Sequence, residues 1–357
     1  MITAKIIKNG RIETPTEFIA FEDYDSWMVR GFPKTGDVVL TTEAPLGEVA
    51  QLDDEHVALA QRVVTLRGKS GVLNNTYLKY YLLSNVGQQR LKARETGTTV
   101  TGIKQSELRE VLVDCPPYVI QERIAFILKS LDDKIECNKR INDNLEQQAQ
   151  ALFKSWFVDF EPFKEGVFVE SELGMIPKKW KVGKLGELCQ FKRGKNLLSK
   201  DAVDGGVPVV AGGLEPSCYH NVSNTKSPVV TISGSGANAG FMRMYHQEVW
   251  ASDCSFIDSS CDNLLFVYCF LATNRRLLRH AQTGAVQPHV KPADIHDFDI
   301  VIPPADVIED FQNVIAPSIE TKGENEQESH RLAQLRDTLL PRLMSGELKV
   351  NEIETIK

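Results

Sequence analysis

The stretch from Val229 to Gly240, Val-Val-Thr-Ile-Ser-Gly-Ser-Gly-Ala-Asn-Ala-Gly, carries a G-x-G-x-x-A pattern after a strand-like run. In dinucleotide-binding proteins such glycines let the backbone approach a pyrophosphate and then open a helix. Here Phe241-Met242-Arg243-Met244-Tyr245 reads as a second strand, so the spacing predicts a hairpin turn. The run Asp114-Cys115-Pro116-Pro117-Tyr118 is one inserted residue away from the D-P-P-Y box that holds a flipped adenine. The insertion breaks that geometry, and no S-adenosylmethionine loop lies upstream. The chain has no G-x-x-x-x-G-K-[ST] motif, no H-E-x-x-H and no G-x-S-x-G. Glu136 and Lys139 read as an i,i+3 helix pair, not as a nuclease site. These motifs give no support for catalysis.

Charge points elsewhere. The 357 residues carry a net charge of -7, which is unpromising for a nucleic-acid binder until it is divided along the chain. Residues 1–115 are net -1, 116–165 net -2, 166–302 net +1 and 303–357 net -5. Within the third segment lies a basic stretch of Lys178, Lys179, Lys181, Lys184, Lys192, Arg193, Lys195 and Lys200, opposed by Glu187 alone. A second cluster joins Arg275, Arg276, Arg279 and His280, followed by His289 and Lys291. Such patches are what neutralising phosphates requires, although a basic run is equally an ordinary solvated face.

The elements that must position these groups come in two copies. A shift of 187 aligns Thr96-Gly97 with Thr283-Gly284, Lys104 with Lys291, Pro116-Pro117 with Pro303-Pro304, Leu145 with Leu332 and Leu152 with Leu339. Each copy reads as a mixed lobe followed by a long helix. Strands are expected at 37–40 and 63–66, then at 207–210 and 229–232, with single lobe helices over 77–91 and 264–278. After Pro117, apolar residues at 120, 124, 127, 131, 135, 145, 149, 152 and 156 mark one helical face, with Asn138 and Asn142 in its polar centre. The second long helix shows Ile308, Phe311, Ile315 and Ile319, then Leu332, Leu335 and Leu339. Duplication predicts a pseudo-two-fold internal repeat with the long helices antiparallel and a lobe at each end. Lys134, Lys139 and Arg140 would then face Glu320, Glu324, Glu326 and Glu328.

With 42% hydrophobic and 25% charged residues, the composition is that of a soluble protein of roughly two domains. No apolar run reaches the length of about 18 residues that a membrane span needs. The opening Met-Ile-Thr-Ala-Lys-Ile-Ile lacks a signal-peptide stretch. Seven cysteines without a C-x-x-C pair predict reduced, packed thiols, and hence a cytoplasmic protein.

These features resemble the specificity subunits of type I restriction-modification enzymes. Gly36 to Ala50, with Asp37-Val38-Val39-Leu40-Thr41-Thr42-Glu43-Ala44-Pro45, is similar to a segment of that family's target-recognition domain. Gln121-Glu122-Arg123-Ile124 running to Ala151-Leu152-Phe153-Lys154-Ser155-Trp156-Phe157-Val158-Asp159-Phe160 resembles its central spacer helix. Gly174-Met175-Ile176-Pro177-Lys178-Lys179-Trp180 with Leu185-Gly186-Glu187 is similar to the opening of a second recognition domain, and Leu335 to Gly346 to the C-terminal spacer.

The resemblance implies a mixed α/β (α+β) protein with two target-recognition domains separated by a pair of long antiparallel, coiled-coil-like helices. The implied boundaries are 1–115 for recognition domain 1, 116–165 for the central spacer, 166–302 for recognition domain 2 and 303–357 for the C-terminal spacer and tail. The 187-residue shift places the counterparts of Trp180 and Leu185-Gly186 near or before Met1, so domain 1 is expected to be shortened at its N-terminus.

By the same resemblance the chain reads a bipartite, asymmetric site on double-stranded DNA without being an enzyme itself. It would position two methyltransferase subunits and the motor-nuclease subunits. S-adenosylmethionine, ATP and Mg are expected in those partners, and no cofactor, metal or membrane contact in this chain. Candidate DNA contacts are Lys192, Arg193, Lys195, Asn238, Arg243 and Lys291 in the second lobe and Arg62, Thr98, Thr99 and Lys104 in the first. Candidates for helix pairing or partner docking are Asn138, Asn142, Phe153, Trp156, Phe157, Leu339 and Leu340. A protein-interaction scaffold without DNA, or a stand-alone methyltransferase using Ser233 to Gly240, are the competing readings. The first would lack steep salt dependence, and the second would bind S-adenosylmethionine by itself.

Overall fold

The computed structural model describes residues 1–97, 101–283 and 288–350. The chain divides into two units, Met1–Cys137 with Glu328–Lys357, and Asn138–Gln327.

The first unit opens with a hairpin of β1 (Ile7–Lys8) and β2 (Arg11–Ile12), then a helical turn α1 (Tyr24–Trp27). Its main sheet has β3 (Val38–Thr41) between β4 (Val49–Gln51) and β5 (Val63–Leu66), antiparallel to both. All four β3 residues are buried, because side chains alternate into two separate cores. Val38 and Leu40 pack with Tyr77, Tyr81 and Leu128, whereas Val39 packs with Ile2, Ile7 and Ala50.

The single helix expected over 77–91 is instead α2 (Asn75–Leu83) and α3 (Asn85–Lys92). Ser84 takes an extended backbone, donates its hydroxyl to Tyr81 O and accepts the Gly87 amide, so it stops one helix and caps the next. A short α4 (Gln105–Arg109) precedes the long α5 (Tyr118–Phe157).

The second unit repeats this plan with added strands. A hairpin of β6 (Phe168–Ser171) and β7 (Gly174–Pro177) leads into β8 (Lys181–Lys184) and β9 (Lys192–Arg193). Strand β10 (Val207–Val210) lies between β11 (Cys218–His220) and β14 (Trp250–Ala251). Strand β12 (Val229–Ser233) lies between β13 (Met242–Tyr245) and β15 (Cys254–Asp258), with β9 beyond β15. Like β3, β12 is wholly buried between two cores, with Val230 and Ile232 in one and Val229 in the other.

The helix expected over 264–278 is broken at Asn274 into α6 (Leu264–Thr273) and α7 (Arg275–His280). After α8 (Pro292–His296), strand β16 (Asp299–Ile302) pairs with β8, and α9 (Ala305–Met344) follows.

Helices α5 and α9 are each 40 residues long, and their first residues, Tyr118 and Ala305, stand 187 positions apart. The same interval separates α4 from α8. It also separates the Thr96–Gly102 bridge from the Thr283–His289 bridge. Among the described residues, no helix is long and apolar enough to cross a membrane.

Each unit ties its lobe helix to the long helices through a buried acid of α5. In the first, Tyr80 donates to Asp132 Oδ2 at 2.6 Å and Arg336 of α9 donates to Oδ1 at 2.7 Å. In the second, Tyr268 and Lys322 both donate to Glu146. Burial opposes both carboxylates, yet the facing cations and hydrogen bonds hold them below their ordinary range. In the second α9 stripe, Leu335 is 47% exposed, contrary to expectation. Arg336 takes the inward position there because Asp132 offers it an ion pair.

Candidate nucleic-acid interface

Strand β9 brings Lys192 and Arg193 to the sheet edge by pairing with β15, Ser255 opposite Arg193. The Arg193 guanidinium lies across Gly234, where its approach leaves no room for a Cβ, and reaches the Asp253 carboxylate. Ser235 donates its hydroxyl to the other oxygen of Asp253. Asp253 therefore orients both the cation and the glycine-rich turn, leaving Arg193 about half exposed.

Beside it, Thr283 and His289 exchange two backbone hydrogen bonds of 3.0 and 2.8 Å, a two-bond clip. Val290 N–H donates to Gly234 O, and Gly236 N–H to Pro288 O, which fastens the clip to the turn. Arg193, Gly234, His289, Lys291 and Pro292 line one surface depression of about 330 Å³. Arg193 and Lys291, far apart in the chain, thus converge on one concave basic surface.

Asn238 lines a second depression of about 390 Å³ with Arg275 and Arg279. The turn itself is the hairpin link between β12 and β13, with a 3-10 turn over Gly236–Asn238. No helix opens after the glycines, as the alternation of Phe241 to Tyr245 predicts. Arg243 is held differently, lying 4.8 Å over the Tyr245 ring and 3.7 Å from Glu215. Lys195 is exposed beyond β9.

The first unit has the same clip. Thr96 and Gly102 exchange hydrogen bonds of 2.8 and 3.0 Å, and Gly102 also bridges to Glu43. Arg62, with a left-handed φ of 73°, holds Glu43 through Nε at 2.5 Å. Lys104 is exposed at the cap of α4, as Lys291 is at the cap of α8. Thr98 and Thr99 lie outside the described residues. Sequence reasoning missed Asp253, Ser235 and Glu43, the groups that set the arginines. Their part follows from strand pairing between distant segments, for which the sequence carries no local signal.

The docking candidates lie elsewhere. Phe153 and Phe157 are buried among Phe266, Phe311 and Trp156 at the foot of α5, so they form core there. Leu339 and Leu340 pack against the core of the first unit. Asn138 donates to Asn325 O at 3.4 Å, and Asn142 donates to Lys322 O at 3.1 Å while accepting from Asn325 at 2.9 Å. Among the described residues, no group of three or more His, Cys, Asp or Glu is arranged to hold a metal ion.

Each unit thus carries a backbone clip beside an acid-held arginine, and comparison with known families gives the class of protein. The chain belongs to the family described as type I restriction modification DNA specificity domain, which matches residues 30–147 and 177–336. It is 32% identical over 349 residues to the type I restriction enzyme MjaIX specificity subunit of Methanocaldococcus jannaschii, covering 91% of this chain and 80% of that one. It is 23% identical to the HindI specificity subunit of Haemophilus influenzae, covering 88% and 87%. The fold is that of the type I restriction-modification S subunit from M. genitalium, with a TM-score of 0.59 at 18% identity, covering 88% of this chain and 84% of that one.

Proposed function

We propose that this chain is the DNA sequence-specificity subunit of a type I restriction-modification complex, non-catalytic and cytoplasmic. The observation that carries the reading is the family match falling once on each half of the chain, where each half repeats the same clip beside an acid-held arginine. Residues 1–115 and 166–302 serve as recognition domains, and 116–165 and 303–357 as spacer. Each recognition domain reads one half of a bipartite site, with Arg193 and Lys291 in the second and Arg62 and Lys104 in the first among the contacting groups.

In each unit the segments of α5 and α9 run antiparallel, since partners descend α9 as they ascend α5. Asp132 meets Arg336 and Lys134 meets Glu328 in the first unit. In the second, Asn138 meets Asn325 and Asn142 meets Lys322. This supports a coiled-coil-like spacer with pseudo-two-fold symmetry. Two methyltransferase subunits and motor-nuclease subunits assemble on this chain and bring S-adenosylmethionine, ATP and Mg, while this chain holds none.

The test is methylome sequencing of cells expressing the chain with its methyltransferase partners. A two-part methylated motif is expected, and Arg193→Ala should relax or abolish one half only, because a lost base contact costs about 1–3 kcal/mol of discrimination. Methylation lacking any two-part motif would refute the reading, and so would an Arg193→Ala methylome identical to wild type.

A further inference from the structure

Two cations on the basic face of the second unit differ in what stands beside them. Lys195 is exposed, and its ammonium has no acidic partner among the described residues. Arg193, two residues earlier, ends against Asp253, whose Oδ1 accepts from Nη2. The other oxygen of Asp253 accepts the Ser235 hydroxyl, and the side chain stays 33% exposed. The Nε and Nη1 groups of Arg193 have no hydrogen-bond partner among the described residues. In the first unit Arg62 meets Glu43 through Nε at 2.5 Å, and its two terminal nitrogens are likewise without a partner among the described residues. The 187-residue repeat maps neither pair onto the other, so the arrangement occurs at two unrelated sets of positions.

An arginine that serves backbone phosphates works by its net charge and by the counterions it releases. A carboxylate beside it opposes both. It cancels the charge, and a part-exposed one repels the arriving phosphate, by a factor of about three in affinity for unit charges ~7 Å apart in water. An acid-held arginine suits a different target. The tether fixes the guanidinium before binding, so less side-chain freedom is lost on contact. The N–H groups left over are donors only, and in the major groove guanine alone offers two acceptors side by side, O6 and N7.

We propose that Arg193 reads a guanine in one half of the recognised site, with Asp253 as its positioning residue. Asp253 lowers affinity for DNA in general and raises discrimination at one base pair. The pair of Arg62 and Glu43 does the same in the other half, whereas Lys195 serves phosphates. This inference rests on the DNA-specificity reading and names the base that the reading leaves open.

The full chain with its methyltransferase partners is assayed on duplexes carrying its methylated motif, with 7-deazaguanine replacing each guanine in turn. Within the half that Arg193→Ala relaxes, one replacement should weaken binding at least about fivefold, the lower end of what a bidentate base contact is worth. In Asp253→Ala the same replacement should cost less than about twofold, while affinity for a duplex lacking the motif rises about threefold at low salt. A merely structural role for Asp253 would not produce that rise. Glu43→Ala should act likewise on the other half. Lys195→Gln should weaken matched and unmatched duplexes alike and keep the full response to the analogue. If Asp253→Ala loses its thermal transition, Arg193→Lys decides instead. Lysine keeps the charge without the fork, so unmatched binding should persist and the response to the analogue should vanish. A half-site in which no guanine responds to the analogue would overturn the proposal. So would an Asp253→Ala chain with its full response, or an Arg193→Lys chain with its own. Failure of the DNA reading itself looks different, because no two-part motif is then methylated and the proposal falls with it.

Discussion

His246 follows β13 and is pressed against Gly323 of α9. Burial pushes its pKa down to about 4, the Lys322 charge acts in the same direction, and Glu146 opposes them. Unfolded imidazole titrates near 6.5. Between these values the unfolded chain binds more protons than the folded one, so stability is intact above about pH 6.5 and falls as pH drops towards 4. The full loss is about 3 kcal/mol. Glu326 acts with the opposite sign, because burial raises its pKa and favours the protonated folded form on acidification. His246→Gln keeps Glu326, so the difference between the two proteins isolates the imidazole. Thermal melts of both between pH 7 and 4 should converge as pH falls, with the wild type losing more. Parallel curves would show that His246 is not held neutral. Arg193 poses a different residue problem. Its basic character was plain in the sequence, but Asp253, which aims it, lies 60 positions away and meets it only once β9 pairs with β15.

Helices α5 and α9 were legible because steps of three and four hold their apolar faces over long stretches, and because Pro-Pro marks both approaches. Asn138 and Asn142 were legible as polar seam positions, though not their partners on α9. The lobe-helix breaks were not legible. Ser84 and Asn274 each follow an apolar run and are followed by further apolar residues at helical spacing, and at the first break it is the tight crossing of Gly87 against Tyr81 that demands a new helix direction. Leu335 was misplaced for a related reason. Spacing admits both 335 and 336 to the face, and the choice was made by Asp132, on another helix. Gly323 tests how far packing overrides local preference. In an isolated helix Gly→Ala stabilises by about 1 kcal/mol. Here a Cβ would stand 2.6 Å from the His246 ring, and overpacking of that kind costs about 1–3 kcal/mol. Gly323→Ala should therefore lower the midpoint of urea unfolding, with the m-value unchanged. The double variant with His246→Ala should recover most of the loss. A raised midpoint in the single variant would mean that the helix and the ring separate at little cost.

The duplicated plan makes one demand on the molecule that neither half makes alone. If the long helices are a spacer, the gap between the two halves of the recognised site must follow their length. The division between units falls at Cys137–Asn138 on α5 and Gln327–Glu328 on α9. Insertions at those two points leave the internal contacts of each unit untouched. Seven residues added to each helix amount to nearly two turns, so the apolar seam continues with a drift of only ~20°. The added rise is about 10 Å at 1.5 Å per residue. With base pairs spaced at about 3.4 Å along a strand, that lengthens the gap by about three base pairs. The methylated motif should keep both half-sequences and gain that spacing. Four residues in each helix overshoot one turn by about 40°, given 3.6 residues per turn, and should lower methylation. In the proposed reading the half-sequences depend on Arg193, Lys291, Arg62 and Lys104, which the insertions do not approach. A heptad variant that methylates the original gap, or new half-sequences, would refute the spacer. Loss of all methylation with both helices intact by circular dichroism would place the methyltransferase contacts across the inserted junction, and the gap would then be read in DNA-binding assays with the chain alone.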